Sequence, residues 1–335
     1  MDLVKRVNQF IRRYNLLSKN DTVIVGVSGG PDSVALMFIL HTLQYEFNLK
    51  LCIAHFNHHL RKEADKDEEF VKNLCQHLNL NFIRGEWGKK EPLAKCSLEE
   101  LARQQRFNFL TKIAKAKKTN IIALGHHRDD LAETVLMRIL RGTGLQGMQA
   151  ILPKREMEGF NFIRPLLAVT KKEINDYLKK YKIESRIDRT NREVKFSRNK
   201  IRLKLLPLLE KEYKKNIKEV LANLSENAAV DYEYLKIQAS KAFKRLKKSA
   251  SPGGIELNLK SFEKQHLAMK RFFIRFSVEH LKGNTNRLTL RHWKEIENLL
   301  ISRPPGAIVH LPGNIYVQKN NRQLIIGLRT ALRNA

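Results

Sequence analysis

The sequence predicts an α/β protein: a parallel sheet flanked by helices, followed by a smaller, mainly helical region that ends in a small β-hairpin or sheet. Three observations carry this. Short apolar, β-branched runs alternate five times with longer segments of helical period, the pattern of a parallel sheet with helices on both faces. The first run, Val23-Ile24-Val25-Gly26-Val27, breaks into Ser28-Gly29-Gly30-Pro31-Asp32-Ser33 and resumes as apolar Val34 to Leu40, so it reads strand, glycine turn, helix. From Pro207 onward the alternation stops, helical segments dominate through Ala250, and Ala307 to Gly327 alternates apolar and polar around two turn clusters, Pro312-Gly313-Asn314 and Lys319-Asn320-Asn321.

The first turn is a ready anion site, because its backbone N–H groups and the start of a helix point at one spot. Gly29 and Gly30 remove Cβ atoms from the approach, Ser28 and Ser33 add hydroxyl donors, and Pro31 fits the first helical turn. A P-loop carries Lys and Ser/Thr after its last glycine. Here Pro31-Asp32-Ser33 stand in their place, which suits a metal-bound pyrophosphate better than γ-phosphoryl transfer. The string resembles the loop of enzymes that cleave ATP to AMP and pyrophosphate.

Before that turn, Met1 to Asn15 reads as an amphipathic helix without the apolar stretch of a signal peptide. After it, Leu51 to Ala54 reads as a second buried strand leading into His55-Phe56-Asn57-His58-His59-Leu60-Arg61. Polar residues at a strand's C-terminal end lie where open α/β sheets bind ligands. Ala64 to Leu78 is predicted helical, and Phe82-Ile83 begins a third strand. Ser97-Leu98-Glu99-Glu100 is a capping box that opens a helix bearing Arg103 and Arg106 on one face. Ile121 to Leu124 is another strand, followed by Gly125-His126-His127-Arg128-Asp129-Asp130 and a helix whose Leu131, Val135 and Ile139 recur every four residues. Asp130 and Glu133 project together from its first turn. Arg141-Gly142-Thr143-Gly144-Leu145-Gln146-Gly147 reads as a flexible loop headed by a cation. Arg164-Pro165 follows a short apolar run, and Thr170 caps a helix ending near Tyr181. Helices are expected from Ser261 to Leu281 and from Thr289 to Ile301.

Sixty-three Lys and Arg stand against 34 Asp and Glu, a formal charge of +29 over 335 residues. Such an excess is the footprint of a polyanion partner, nucleic acid above all. Between Ser185 and Lys218 twelve basic residues meet four acidic ones, including Asp188-Arg189-Thr190-Asn191, a predicted turn, and Ser197-Arg198-Asn199-Lys200-Ile201-Arg202, which opens a helix. Three cysteines, Cys52, Cys75 and Cys96, form no Cys-x-x-Cys pair and suggest neither a disulfide framework nor a zinc site. They fit a reducing cytoplasm. No apolar run approaches the roughly 18 residues that span a bilayer.

Taken together, Ser28–Ser33, His55–Arg61, Ser97–Phe107, Gly125–Thr134, Arg141–Gly147, Arg164–Leu167, Asp188–Asn191 and Ser197–Arg202 resemble, in order, the motifs of the bacterial tRNA(Ile)-lysidine synthetases. The resemblance implies a Rossmann-like ATP-pyrophosphatase domain over 1–205 and a C-terminal α+β tRNA-binding domain over 206–335. It implies an ATP-dependent ligase that adenylates the C2 oxygen of the wobble cytidine in a tRNA(Ile) with a CAU anticodon and then joins L-lysine to that carbon. ATP is expected on Ser28, Gly29, Gly30, Pro31, Asp32, Ser33, Ala54 and His55, and Mg²⁺ on Asp32. Asp32, Asp130, Glu133 and Arg103 are the expected catalytic set, with Asp130 and Glu133 shared between lysine and metal. His126, Arg106, Arg141, Arg198 and Arg202 are expected on substrate or tRNA. Partners are tRNA and lysine, not a membrane; a homodimer is compatible with the sequence, which does not fix the oligomeric state. A tRNA thiolase with the same loop, and a non-enzymatic RNA-binding protein, are the alternatives.

Overall fold

The computed structural model describes residues 2–59, 63–87, 98–186, 197–251, 253–285 and 287–329. The cap at Ser97, the turn Asp188–Asn191, Leu60-Arg61, Cys96 and the cations Arg189, Arg192 and Lys195 lie outside the described residues. The chain divides into two units, 1–229 and 230–335.

The first unit runs α1 (Leu3–Arg13), β1 (Thr22–Gly26), α2 (Pro31–Phe47), β2 (Lys50–Asn57), α3 (Ala64–His77), β3 (Asn81–Glu86), α4 (Leu98–Ala116), β4 (Ile121–Ala123), α5 (Arg128–Leu140), α6 (Leu145–Met148), β5 (Lys154–Met157), β6 (Phe160–Ile163), α7 (Lys171–Lys180), α8 (Ser197–Lys200), α9 (Leu206–Glu212) and the start of α10 (Ile217–Leu246). Its sheet has the order β3-β2-β1-β4-β6-β5. All neighbours are parallel except the β5–β6 hairpin. Alternation along β1 serves both faces: Val23 and Val25 pack with α1, α2, α3 and α7, while Ile24 packs with Leu110, Ile113 and Ala114 of α4. The chain leaves β1 towards β2 and β3, then returns to place β4 on the other side. That reversal opens a crevice at the C-terminal ends of β1, β2 and β4, the usual ligand position in such sheets.

The α/β class and the first two βα units follow the sequence pattern. β2 is longer than expected and takes in His55 and Asn57, both buried. Of the predicted α5 stripe, Leu131 and Val135 are buried but Ile139 is 41% exposed; Ala132 and Leu136 complete the buried face instead. The expected flexible loop after Arg141 ends in the short helix α6.

The sequence boundary at 205 lies ahead of the division at Ala229/Val230, which falls inside α10. Leu206 and Leu221 are buried, with Leu209 and Ile217 packed beside them, against Leu131, Val135 and Leu136 of α5. These residues after 205 therefore share the first unit's core. The second unit contains β7 (Lys247–Ser251), β8 (Gly254–Asn258), α11 (Leu259–Glu263), α12 (Leu267–Lys282), α13 (Leu290–Ile301), β9 (Ile308–Leu311), β10 (Ile315–Lys319) and β11 (Gln323–Leu328). Its antiparallel sheet has five strands, β7-β8-β11-β10-β9. Lys247 to Ala250 is thus strand rather than helix, and the helix expected from Ser261 is divided between α11 and α12.

Candidate active site

A cleft of about 280 Å³ opens at the crevice, lined among others by Ser28, Gly30, Asp32, Ser33, Ala54, His55, Arg106, Gly125 and His126. Gly29 and Pro31 belong to the loop without lining it. Gly29 sits at φ +87°, a left-handed conformation that a side chain would strain, and Pro31 takes the first position of α2 with Gly30 as cap. Ser33 ties the turn together: its Oγ accepts from the Ser28 amide at 3.1 Å and donates to the Gly30 carbonyl at 2.9 Å. Gly125 lets β4 approach the loop, since a Cβ there would stand 3.1 Å from the Asp32 carbonyl group and the Ser33 nitrogen.

His55 lies at the end of β2, its Nδ1 2.9 Å from the Val27 carbonyl. Burial lowers its pKa more than the Val27 contact and the nearby Glu68 and Asp67 raise it. The imidazole is therefore neutral at pH 7. His126 has its pKa pushed down to about 3, first by burial and then by Arg164, Arg106 and Arg198 against the opposing pull of Asp130. Its Nδ1 is buried without a hydrogen-bond partner.

Asp130 and Glu133 share the first turns of α5 as expected, and the structure brings Arg198 and Arg202 onto both. Arg198 donates to Glu133 Oε2 and Asp130 Oδ1, each at 2.8 Å. Arg202 donates to Glu133 Oε1 at 2.5 Å, to Oε2 at 3.0 Å and to Asp130 Oδ1 at 3.3 Å. Glu133 is 1% exposed, so it faces its arginines and not the cleft. Burial works against the charge of Asp130, but His127 and Arg198 outweigh it and hold the carboxyl below its usual range. His127 caps α5 and joins the two regions: Nε2 is 3.6 Å from Asp32 Oδ1 and 3.5 Å from Asp130 Oδ2.

The remaining cations disperse. Arg106 lines the cleft, whereas Arg103, one helical turn earlier on α4, lies outside the lining. Arg141 is exposed at the far end of α5, about 16 Å along the axis from Asp130. Three further residues stand at the site beyond those the sequence singles out. His127 shares its motif with His126, whose signal is the stronger. Lys171, at the start of α7, forms an ion pair with Asp32; a cation directly after the Thr170 cap, where acids are favoured, was the available signal. Arg164, 9% exposed, donates to the carbonyls of Leu152 and Phe162.

Residues 1–209 match the PP-loop domain family. Over 327 residues the chain is 36% identical to a tRNA(Ile)-lysidine synthase of Clostridioides difficile, covering 96% of this chain and 70% of that one. A tRNA(Ile)-lysidine synthase of Caldanaerobacter subterraneus subsp. tengcongensis is also 36% identical, over 97% of this chain and 69% of its own. The bifunctional protein TilS/HprT of Listeria innocua is 33% identical, with 96% and 50% covered. Among solved structures, the U34-tRNA thiolase NcsA of Methanococcus maripaludis superposes with a TM-score of 0.55 over 67% of this chain and 77% of that one, at 17% identity. That likeness is one of fold alone.

Proposed function

The chain belongs to the tRNA(Ile)-lysidine synthase family, and we propose on that premise that it joins L-lysine to C2 of the wobble cytidine of a tRNA(Ile) with a CAU anticodon. The C2 oxygen attacks the α-phosphorus of ATP, the bond to the β-phosphate oxygen breaks, and pyrophosphate leaves with the electron pair. The ε-amine of lysine then attacks C2, the C2–O bond breaks, AMP departs, and the new nitrogen loses its proton. The product base pairs with A instead of G, and the tRNA becomes an isoleucine acceptor. One observation supports this chemistry most directly: His127 stands between the phosphate-loop carboxylate Asp32 and the acid–arginine network of Asp130, Glu133, Arg198 and Arg202.

An amide-like carbonyl is a poor electrophile, so adenylation supplies a leaving group. Backbone N–H groups of the Ser28–Ser33 turn and the start of α2 receive the phosphates. Ala54 and His55 border the nucleotide on the β2 side. Mg²⁺ is commonly held by one or two carboxylates together with substrate phosphates; Asp32 lines the cleft and is 30% exposed, which fits that role. When bound, the cation would supply charge neutralisation at the departing pyrophosphate.

Asp130, less enclosed than Glu133, is assigned to the lysine ammonium. Its lowered pKa makes it a charge partner and a poor proton acceptor. Glu133 fixes Arg198 and Arg202, whose side chains, 38% and 35% exposed, are assigned to tRNA phosphates. Arg106 and the neutral His126 are assigned to nucleotide or base, and Arg103 and Arg141 to the tRNA backbone farther out. Residues 206–335 are assigned as further tRNA-binding surface. The described cysteines lend thiol-based sulfur transfer no support: Cys52 and Cys75 are buried, and burial pushes the Cys75 thiol up to about 12. No helix among the described residues is long and apolar enough to cross a membrane. Cytoplasmic placement and a homodimer belong to the same reading. Light scattering of the purified chain, giving 39.0 kDa or twice that, decides the assembly.

Labelled lysine, ATP and two transcripts test the activity, one with CAU and one with its wobble C changed to U. Incorporation into the first alone, with AMP released and with loss in Asp32→Ala, is expected. Tight tRNA binding without incorporation would overturn the ligase assignment.

A further inference from the structure

Lys171 is the first residue of α7, directly after the Thr170 cap. A cation in that position opposes the positive end of the helix dipole, so α7 gains no stability from its charge. Its Nζ pairs with Asp32 Oδ1 of the phosphate loop, and the two side chains are 35% and 30% exposed. An ion pair so open contributes little to stability. Neither the helix nor the fold accounts for the lysine.

Its root, by contrast, is rigidly placed. The Lys171 amide donates to Asp129 Oδ2 at 2.8 Å, and Thr170 donates through its amide and hydroxyl to Glu173 Oε2 at 2.8 and 2.7 Å. Ile174, Tyr177 and Leu178 anchor α7 in the core that also buries α2. A four-carbon stem on a fixed root lets the ammonium exchange partners within a small radius.

The loop itself carries no cation. It carries Pro31-Asp32-Ser33 where a P-loop has its phosphate-binding lysine, and Asp32 adds a negative charge beside an incoming polyphosphate. Arg186, whose amide donates to the Gly29 carbonyl at 2.9 Å, has its guanidinium on Asp67 at 3.1 Å. His55 is neutral.

We propose that Lys171 is the pyrophosphate-binding lysine of this site. Its ammonium exchanges Asp32 for the β- and γ-phosphate oxygens of ATP and stays with pyrophosphate as the bond to the α-phosphorus breaks. It forms no covalent bond and supplies N–H donors and charge from a helix distant in sequence. The assignment rests on the ATP-cleaving reading above and adds the residue that recognises the leaving group.

Calorimetry on the full chain with inorganic pyrophosphate, ATP and AMP, without tRNA or lysine, tests it. AMP lacks the two phosphates concerned, so it controls for general damage to the cleft. Lys171→Met should weaken pyrophosphate and ATP by at least about tenfold, the scale of one charge-assisted hydrogen bond, and leave AMP within about twofold. Lys171→Arg should restore most of the loss. Unchanged pyrophosphate affinity would overturn the proposal, as would equal losses for all three ligands, which would make Lys171 a structural residue. Thermal melting of each ligand-free variant accompanies the titrations, and Lys171→Gln is titrated in place of Lys171→Met if the latter does not fold. Pyrophosphate binding that depends on Lys171, in a chain that makes no lysidine, would keep this inference and sink the ligase assignment. Lysidine formation with pyrophosphate binding indifferent to Lys171 would do the reverse.

Discussion

Glu133 and Glu46 show how burial sets the worth of an ion pair. Glu133 is almost wholly enclosed and accepts from two guanidiniums. Removing it leaves Arg198 and Arg202 crowded together without their main counter-charge, so Glu133→Ala should cost about 3 kcal/mol, read by urea denaturation. Glu46, 41% exposed opposite Arg12 at 61%, should cost less than about 1 kcal/mol on the same replacement. Glu173 adds a pH dependence. Burial raises its pKa, but Arg6 and the Thr170 amide and hydroxyl outweigh this and bring it from 4.5 to about 2. The unfolded chain therefore binds the proton first on acidification, and the stabilisation is complete above pH 4.5 and lost as pH falls towards 2. Glu173→Gln should flatten that limb of a plot of Tm against pH. Asp32, Asp130 and Glu133 were legible because each sits in a short local string with a recognisable job. Lys171 and the arginine clasp on Glu133 were not, because partners 139 and 65 residues apart meet only through tertiary packing.

At the scale of elements, two of the strands that escaped sequence reading share a cause. β5 is Lys-Arg-Glu-Met and β7 is Lys-Lys-Ser-Ala-Ser, each at the edge of its sheet and largely exposed. An edge strand with both faces wet has no apolar alternation to display, and its lysines suit an edge that must not pair with another chain. The buried strands β1, β2 and β4, by contrast, read directly from their short apolar runs. The turns after β1 and β4 act as a unit, because Gly125 lets the backbone after β4 lie close against Asp32 and Ser33 of the phosphate loop. Gly125→Ala should displace that loop by a few tenths of an ångström. The expected result is roughly a tenfold fall in kcat/KM for ATP, with the KM for lysine little changed, from steady-state assays varying each substrate in turn.

For the molecule as a whole, +29 makes tRNA affinity a function of ionic strength. If six or more phosphates are contacted, affinity should fall by about a thousandfold between 50 and 200 mM salt, with a linear double-logarithmic plot in filter binding. Charge-reversal variants at Arg198 or Arg141 should shallow that slope. The strand order carries a different kind of consequence. Thr22 pairs with Lys50 on one side of β1, while on the other Val23 pairs with Ile121. Closing the longer span costs about 1 kcal/mol more in chain entropy, so the two flanks of the phosphate turn are not equally easy to assemble. A ribosome that has delivered β1, α2 and β2 has made the turn without Gly125 and His126. Nascent chains arrested before residue 120 should therefore ignore immobilised ATP, and those released past α7 should bind it: nucleotide capture waits until the enclosing half of the sheet has been made.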